Sequence, residues 1–199
     1  MPLIINGTTI PASGTINYNG TSLTEIIFNG VTVWQKSFTV ISNGDLLDKN
    51  YITSAPYSGY SDHSSISGNC YKITGDGIYF SYNLYGVGTS GTYTGEYHEC
   101  NDTSWVQTTI KFSSDIVGQS VTAKFACKYA ARYFDADYEI RNGGSSGTVL
   151  YSGSGHPSDP VTKTFTMSPD GLYFKISFPC DNDSWCPHGW VGIIDLQVN

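Results

Sequence analysis

The 199 residues suffice for one medium domain with an appendage or for two small ones, and 39% apolar content supplies a core. Charged residues are only 14% and aromatics also 14%, which excludes a disordered chain and leaves a surface of neutral polar groups. A net charge of −7 with no basic run excludes non-specific nucleic-acid binding and a basic membrane-surface helix.

Asn-Gly pairs at Asn6-Gly7, Asn19-Gly20 and Asn29-Gly30 punctuate the start of the chain. Both residues of such a pair tolerate the positive φ of a two-residue type I′ turn, so the runs on either side fold back as a hairpin. Those runs are long enough for strands and too short for helices, which predicts a small β-meander over residues 1–37. In the third unit the turn sets Phe28 opposite Val31, Ile27 opposite Thr32, Ile26 opposite Val33 and Glu25 opposite Trp34. Alternation gives an apolar face of Ile26, Phe28, Val31 and Val33 and a mixed face of Glu25, Ile27, Thr32 and Trp34. A sheet this small is marginal in water and needs a surface to lean on, from its own chain or a neighbouring subunit. Glu25, Ile27, Thr32 and Trp34 are the candidate contacts for that surface.

The run Ile5-Asn-Gly-Thr-Thr-Ile10, followed by Ile26-Ile-Phe-Asn-Gly-Val-Thr-Val-Trp-Gln-Lys36, resembles short β-modules in tail and other minor structural proteins of phages and prophages. The resemblance covers residues 1–37 and implies attachment within a virion, with other virion proteins and further copies of the chain as partners. It brings no catalytic residues with it. The sequence adds two expectations of its own. There is no Lys or Arg before Lys36, and Leu3-Ile4-Ile5 is too short for the apolar core of an export signal, so none is expected. No apolar run approaches a membrane span either. A surface suited to life outside a cell without an export signal fits a virion part released by lysis.

From Ser37 onward the pattern stays β. Residues 38–41 form a short apolar run, and residues 43–70, rich in Ser, Gly, Tyr and Asn, read as a long ordered surface excursion. Strands are expected at 71–74 and 78–84 around Asp76-Gly77, with a loop over 86–95. In 105–112, Val106, Thr108, Ile110 and Phe112 share one face, while Gln107, Thr109 and Lys111 share the other. In 121–129, Val121, Ala123, Phe125, Cys127 and Tyr129 point inward, with Thr122, Lys124 and Lys128 outward. A strand over 138–141 ends at Asn142-Gly143-Gly144, and runs at 149–151 and 161–167 flank a Gly/Ser/Pro loop. In 172–178, Leu172, Phe174, Ile176 and Phe178 alternate with Tyr173, Lys175 and Ser177. The last run places Trp190, Gly192, Ile194, Leu196 and Val198 on one side. Strands this short, separated by Gly, Pro and Asn turns and with no helical period, make the chain all-β, with a jelly-roll-type β-sandwich over residues 38–199. The runs Tyr138-Glu-Ile-Arg-Asn-Gly-Gly144, Ser168-Pro-Asp-Gly-Leu-Tyr-Phe-Lys-Ile176 and Gly192-Ile-Ile-Asp-Leu-Gln-Val198 resemble the closing half of a carbohydrate-binding-module or galactose-binding-like jelly roll.

Two segments echo each other, Cys100-Asn-Asp-Thr-Ser-Trp105 and Cys180-Asp-Asn-Asp-Ser-Trp185. Residues two apart on a strand share a face, so His98 with Cys100, and Cys186 with His188 near Cys180, could offer soft ligands to Zn²⁺. The Cys-x5-Cys-x-His spacing is not a usual zinc pattern, so no metal is assigned. A Cys180–Cys186 disulfide is the other reading, disfavoured if the protein assembles in a reducing cytosol. Carboxylates and amides at 101–102 and 181–183 could hold Ca²⁺, but ordinary Asx turns account for them better. Trp105, Trp185 and Trp190, with Asp102 and Asp183 as acceptors, could form a glycan platform, because a pyranose offers C–H groups on its face and hydroxyls at its edge. Alternatively these tryptophans fill the core or an interface. No nucleophile elbow, phosphate loop or dinucleotide fingerprint is present, so neither catalysis nor a cofactor is expected. The expected activity is glycan recognition by a displayed sandwich, or by a free carbohydrate-binding module; a glycan-processing enzyme is the third reading.

Overall fold

The computed structural model describes residues 3–5, 8–10, 16–23, 25–29, 31–61, 64–74, 82–88, 104–129, 136–155, 159–178 and 189–199. At the N-terminus β1 (Leu3–Ile5) pairs with β2 (Thr8–Ile10), β3 (Ile16–Tyr18) with β4 (Thr21–Leu23), and β5 (Glu25–Phe28) with β6 (Val31–Gln35). Among the described residues each hairpin is a two-stranded sheet of its own, so the expected meander resolves into three separate ribbons. Asn19, Gly20 and Asn29 take the positive φ their turns require.

The third hairpin departs from the expected register. Ile27 opposes Thr32 and Phe28 opposes Val31 as anticipated, but a bulge between Ile26 and Ile27 sets Ile26 against Trp34 and Glu25 against Gln35. Trp34 is only 2% exposed, while Ile27 and Phe28 are 56% and 66% exposed. Trp34, the candidate for contact with the next domain or a subunit, is thus covered within the single chain, whereas Ile27 of the same candidate face is open.

The remaining strands form two antiparallel sheets. They are β7 (Phe38–Ser42), β8 (Asp45–Leu46), β9 (Ile52–Ser54), β10 (Pro56–Ser61), β11 (Ser64–Asn69), β12 (Tyr71–Ile73), β13 (Leu84–Gly88), β14 (Ser104–Phe112), β15 (Ser120–Tyr129), β16 (Ala136–Asn142), β17 (Thr148–Gly155), β18 (Val161–Thr166), β19 (Leu172–Phe178) and β20 (Gly189–Val198). One sheet runs β11-β10-β14-β19-β16-β17, with β9 continuing beside β14; the other runs β12-β13-β20-β15-β18, with β7 beside β20 and β8 beside β7. Their inner faces close on one core that includes Val106, Ile110, Phe125, Cys127, Ile140, Phe174, Ile176 and Ile193. This is the expected sandwich. Among the described residues no helix is long and apolar enough to cross a membrane.

Four local expectations are corrected. The supposed excursion over 43–70 contains β8 to β11 and a short 3₁₀ turn at Lys49–Tyr51. The edge strand β11 lacks an apolar alternation because Ser65, Ser67, Gly68 and Asn69 are all exposed, so neither of its sides demands apolar residues. Gly86 and Gly88 belong to β13 rather than a loop, because the strand they pair with needs a close approach: a Cβ on Gly86 would strike the Val191 carbonyl. Of the strand expected over 78–84, residues 78–81 lie outside those described. Lys128, expected outward, is 2% exposed.

The fourth correction concerns β20. The register against β15 steps between Lys124 and Phe125, leaving Ile194 as an extra residue. Val191 and Ile193 therefore join Leu196 and Val198 in the main core. Trp190 and Ile194 face the other way, into a small outer cluster with Ile73, Leu84, Ala126 and Tyr82. The Ile194 carbonyl freed at the bulge accepts from the Gly44 N–H at 2.8 Å.

Candidate glycan-binding face

The outer side of the first sheet brings polar residues of six strands into register. With Val106, Thr108 and Ile110 of β14 buried inward, Trp105, Gln107 and Thr109 must face out, and they are half-buried. Tyr138 and Ile140 point inward on β16 and Phe174 and Ile176 on β19, which turns Asp137, Glu139 and Arg141 and Tyr173, Lys175 and Ser177 outward. Pairing then aligns one wholly polar row, Ser67, Ser58, Gln107, Lys175, Glu139 and Ser152. The next row holds Ser65, Tyr60, Trp105, Ser177, Asp137 and Ser154.

Several of these groups are held in place. The Tyr173 hydroxyl donates to Gln107 Oε1 at 3.0 Å, which commits the amide oxygen and leaves the amide N–H₂ for a ligand. Tyr173 is 8% exposed; burial, and secondarily the Glu139 carboxylate, push its phenol up, with Arg141 pulling the other way. The phenol is a neutral donor at physiological pH. Arg141 is engaged three times: Nε donates to Glu139 Oε2 at 2.9 Å, Nη2 lies 2.8 Å from the same oxygen, and Nη1 donates to the Gly147 carbonyl at 3.2 Å. The result is a held amide, phenol, carboxylate and guanidinium beside the Lys175 ammonium and one indole on the outer face of the sheet. That is the chemistry of hydroxyl-rich ligands, which need many oriented donors and acceptors together with an apolar face.

No family model and no curated protein matches this chain. Among solved structures it is similar to CBM29_1, a family 29 carbohydrate-binding module from Piromyces equi, at 10% identity and a TM-score of 0.30, covering 82% of this chain and 90% of that one. A second, titled "CBM4 structure and function", is similar at 15% identity and a TM-score of 0.19, covering 47% of this chain and 76% of that one. Likenesses this remote leave the ligand to be argued from the residues of the face itself.

Of the sequence-derived glycan candidates, Trp105 and Trp190 fall among the described residues. Trp105 lies on the polar face. Trp190 sits on the outer side of the opposite sheet, so the two do not form one platform. There the Trp190 ring passes so close to Gly88 that a Cβ would collide with it, and Lys128 Nζ lies 5.4 Å from its centroid. The same ammonium donates to the Thr74 carbonyl at 2.7 Å. Trp185, Asp102 and Asp183 lie outside the described residues, as do His98, Cys100, Cys180, Cys186 and His188. Among the described residues no three His, Cys, Asp or Glu side chains gather as a metal site. In the third hairpin Glu25 and Ile27 are exposed. Gln107, Lys175, Glu139, Arg141 and Tyr173 were not singled out from sequence. Their alternation along single strands was visible, but the registers that unite them are not local.

Proposed function

We propose that the outer face of the first sheet binds a glycan without turning it over, and that residues 1–37 attach this sandwich to a larger assembly, a phage particle. The observation carrying the first part is the polar row from Ser67 to Ser152 running beside Trp105 on a sheet backed by fully buried Ile140, Phe174 and Ile176. A sugar ring laid on Trp105 would meet the Gln107 amide on the same strand and the Ser177 hydroxyl on the next. Exposed Tyr18, Ile27 and Phe28 on ribbons of three to five residues per strand support the second part, since such ribbons gain stability by packing on a neighbour.

Titration calorimetry against a panel of host-surface polysaccharides tests the binding role, with loss of binding in Trp105→Ala as the expected result and turnover of a labelled polysaccharide as the result favouring an enzyme. Mass spectrometry of purified particles tests the assembly role. Finding the chain there in multiple copies is expected, and its absence would favour a free carbohydrate-binding module.

A further inference from the structure

We infer that the ligand is an anionic glycan, one carrying a carboxylate or phosphate on its repeat, and that Lys175 anchors that group. The inference rests on the glycan reading above and narrows it. Lys175 occupies the middle of the polar row, directly between Gln107 of β14 and Glu139 of β16. Its natural counter-ion is Glu139 across the strand, but the Glu139 carboxylate is engaged twice by Arg141, two residues along its own strand. Asp137, diagonal to Lys175, makes no ion pair with it. Among the described residues the half-buried Lys175 ammonium has no hydrogen-bonded or ionic partner, although Gln107 and Glu139 flank it in the polar row.

An ammonium placed centrally, with its neighbouring carboxylate diverted to another cation, favours an incoming anion. The local charge balance points the same way. This face gathers Lys111, Arg141 and Lys175 against Asp137 and Glu139, whereas the whole chain has ten Lys and Arg against seventeen Asp and Glu. Trp105 and Lys175 are diagonal cross-strand neighbours, a relationship that spaces backbones by about 7–8 Å. A ring stacked on the indole therefore has its substituent, or that of the adjoining sugar, within reach of Nζ.

Calorimetry on the intact chain decides the matter with polygalacturonate as the carboxylate polymer, a phosphodiester-linked hexose polysaccharide as the phosphate polymer, and a neutral β-glucan. The wild type is expected to prefer at least one anionic polymer, which also identifies the anion. Lys175→Met should weaken that binding about tenfold, the scale of one charge-assisted hydrogen bond. Lys175→Arg should retain most of it, and added salt should weaken the wild type more than Lys175→Met. Tight neutral-glucan binding that is lost in Trp105→Ala but untouched in Lys175→Met would overturn this inference while leaving the glycan face intact. Binding to none of the three polymers would overturn both.

Discussion

The Tyr173 hydroxyl reaches across from β19 to Gln107 on β14 and fixes its amide at 3.0 Å. Because Tyr173 packs against the sheet with only its oxygen engaged, Tyr173→Phe should keep the fold, at a cost of about 1 kcal/mol for the lost hydrogen bond. The freed amide can then rotate. Glycan affinity should fall about three- to tenfold, measured by calorimetry beside a urea melt.

Trp105 and Trp190 separate binding from stability. Trp105→Ala should abolish most glycan binding while shifting the urea midpoint little, since the indole is half-exposed on the outer face. Trp190→Ala should leave binding unchanged but lower stability by about 2–4 kcal/mol, because that ring fills the outer cluster over Gly88 and meets the Lys128 ammonium. Reversed effects of the two substitutions would place the binding face on the wrong sheet.

Lys128 is nearly sealed from water, its ammonium held by the Thr74 carbonyl at 2.7 Å and by the Trp190 ring. In Lys128→Met that carbonyl loses its partner. A loss of about 1–3 kcal/mol is expected in urea unfolding, with a change in tryptophan fluorescence that a surface lysine would not produce.

Stability should fall as the solution turns alkaline. Burial pushes the Cys70 thiol from 9.0 up to about 11, against weaker opposing bonds from Thr108 and the backbone. Burial, and secondarily Cys70 nearby, pushes the Tyr85 phenol from 10.0 up to about 12. Between pH 9 and about 12 the unfolded chain therefore holds fewer protons than the folded one, so stability is full below pH 9 and declines through that window. Thermal melts from pH 7 to 11 should show this, and Cys70→Ala should reduce the earlier part of the decline, leaving the share of Cys127, whose thiol burial also pushes up.

Gly44 closes the β7–β8 turn at φ +73°, and its N–H caps the carbonyl freed by the β20 bulge. A Cβ there would lie 2.6–2.7 Å from the Leu84 backbone. Gly44→Ala should thus cost more than about 2 kcal/mol, combining left-handed strain with a clash that no side-chain rotation relieves. Gly118→Ala, also at positive φ but with open space around it, should show the strain alone.

Residue pattern alone establishes that the chain is all-β, where several strands run and which side of β14 and β19 is apolar. These are local properties: turn chemistry at Asn-Gly and a period of two are written within a few residues. Local pattern also misled at Trp190, because a single bulge inverts a strand's faces; Lys128 does face away from the main core, but its long amphipathic side chain is covered by a cluster formed by distant strands. That Ser58, Gln107, Lys175, Glu139 and Ser152 form one row follows from the folded sheet and not from any one strand. Strand order and register are set by how the two sheets close on a shared core, and those pairings join segments far apart in the chain.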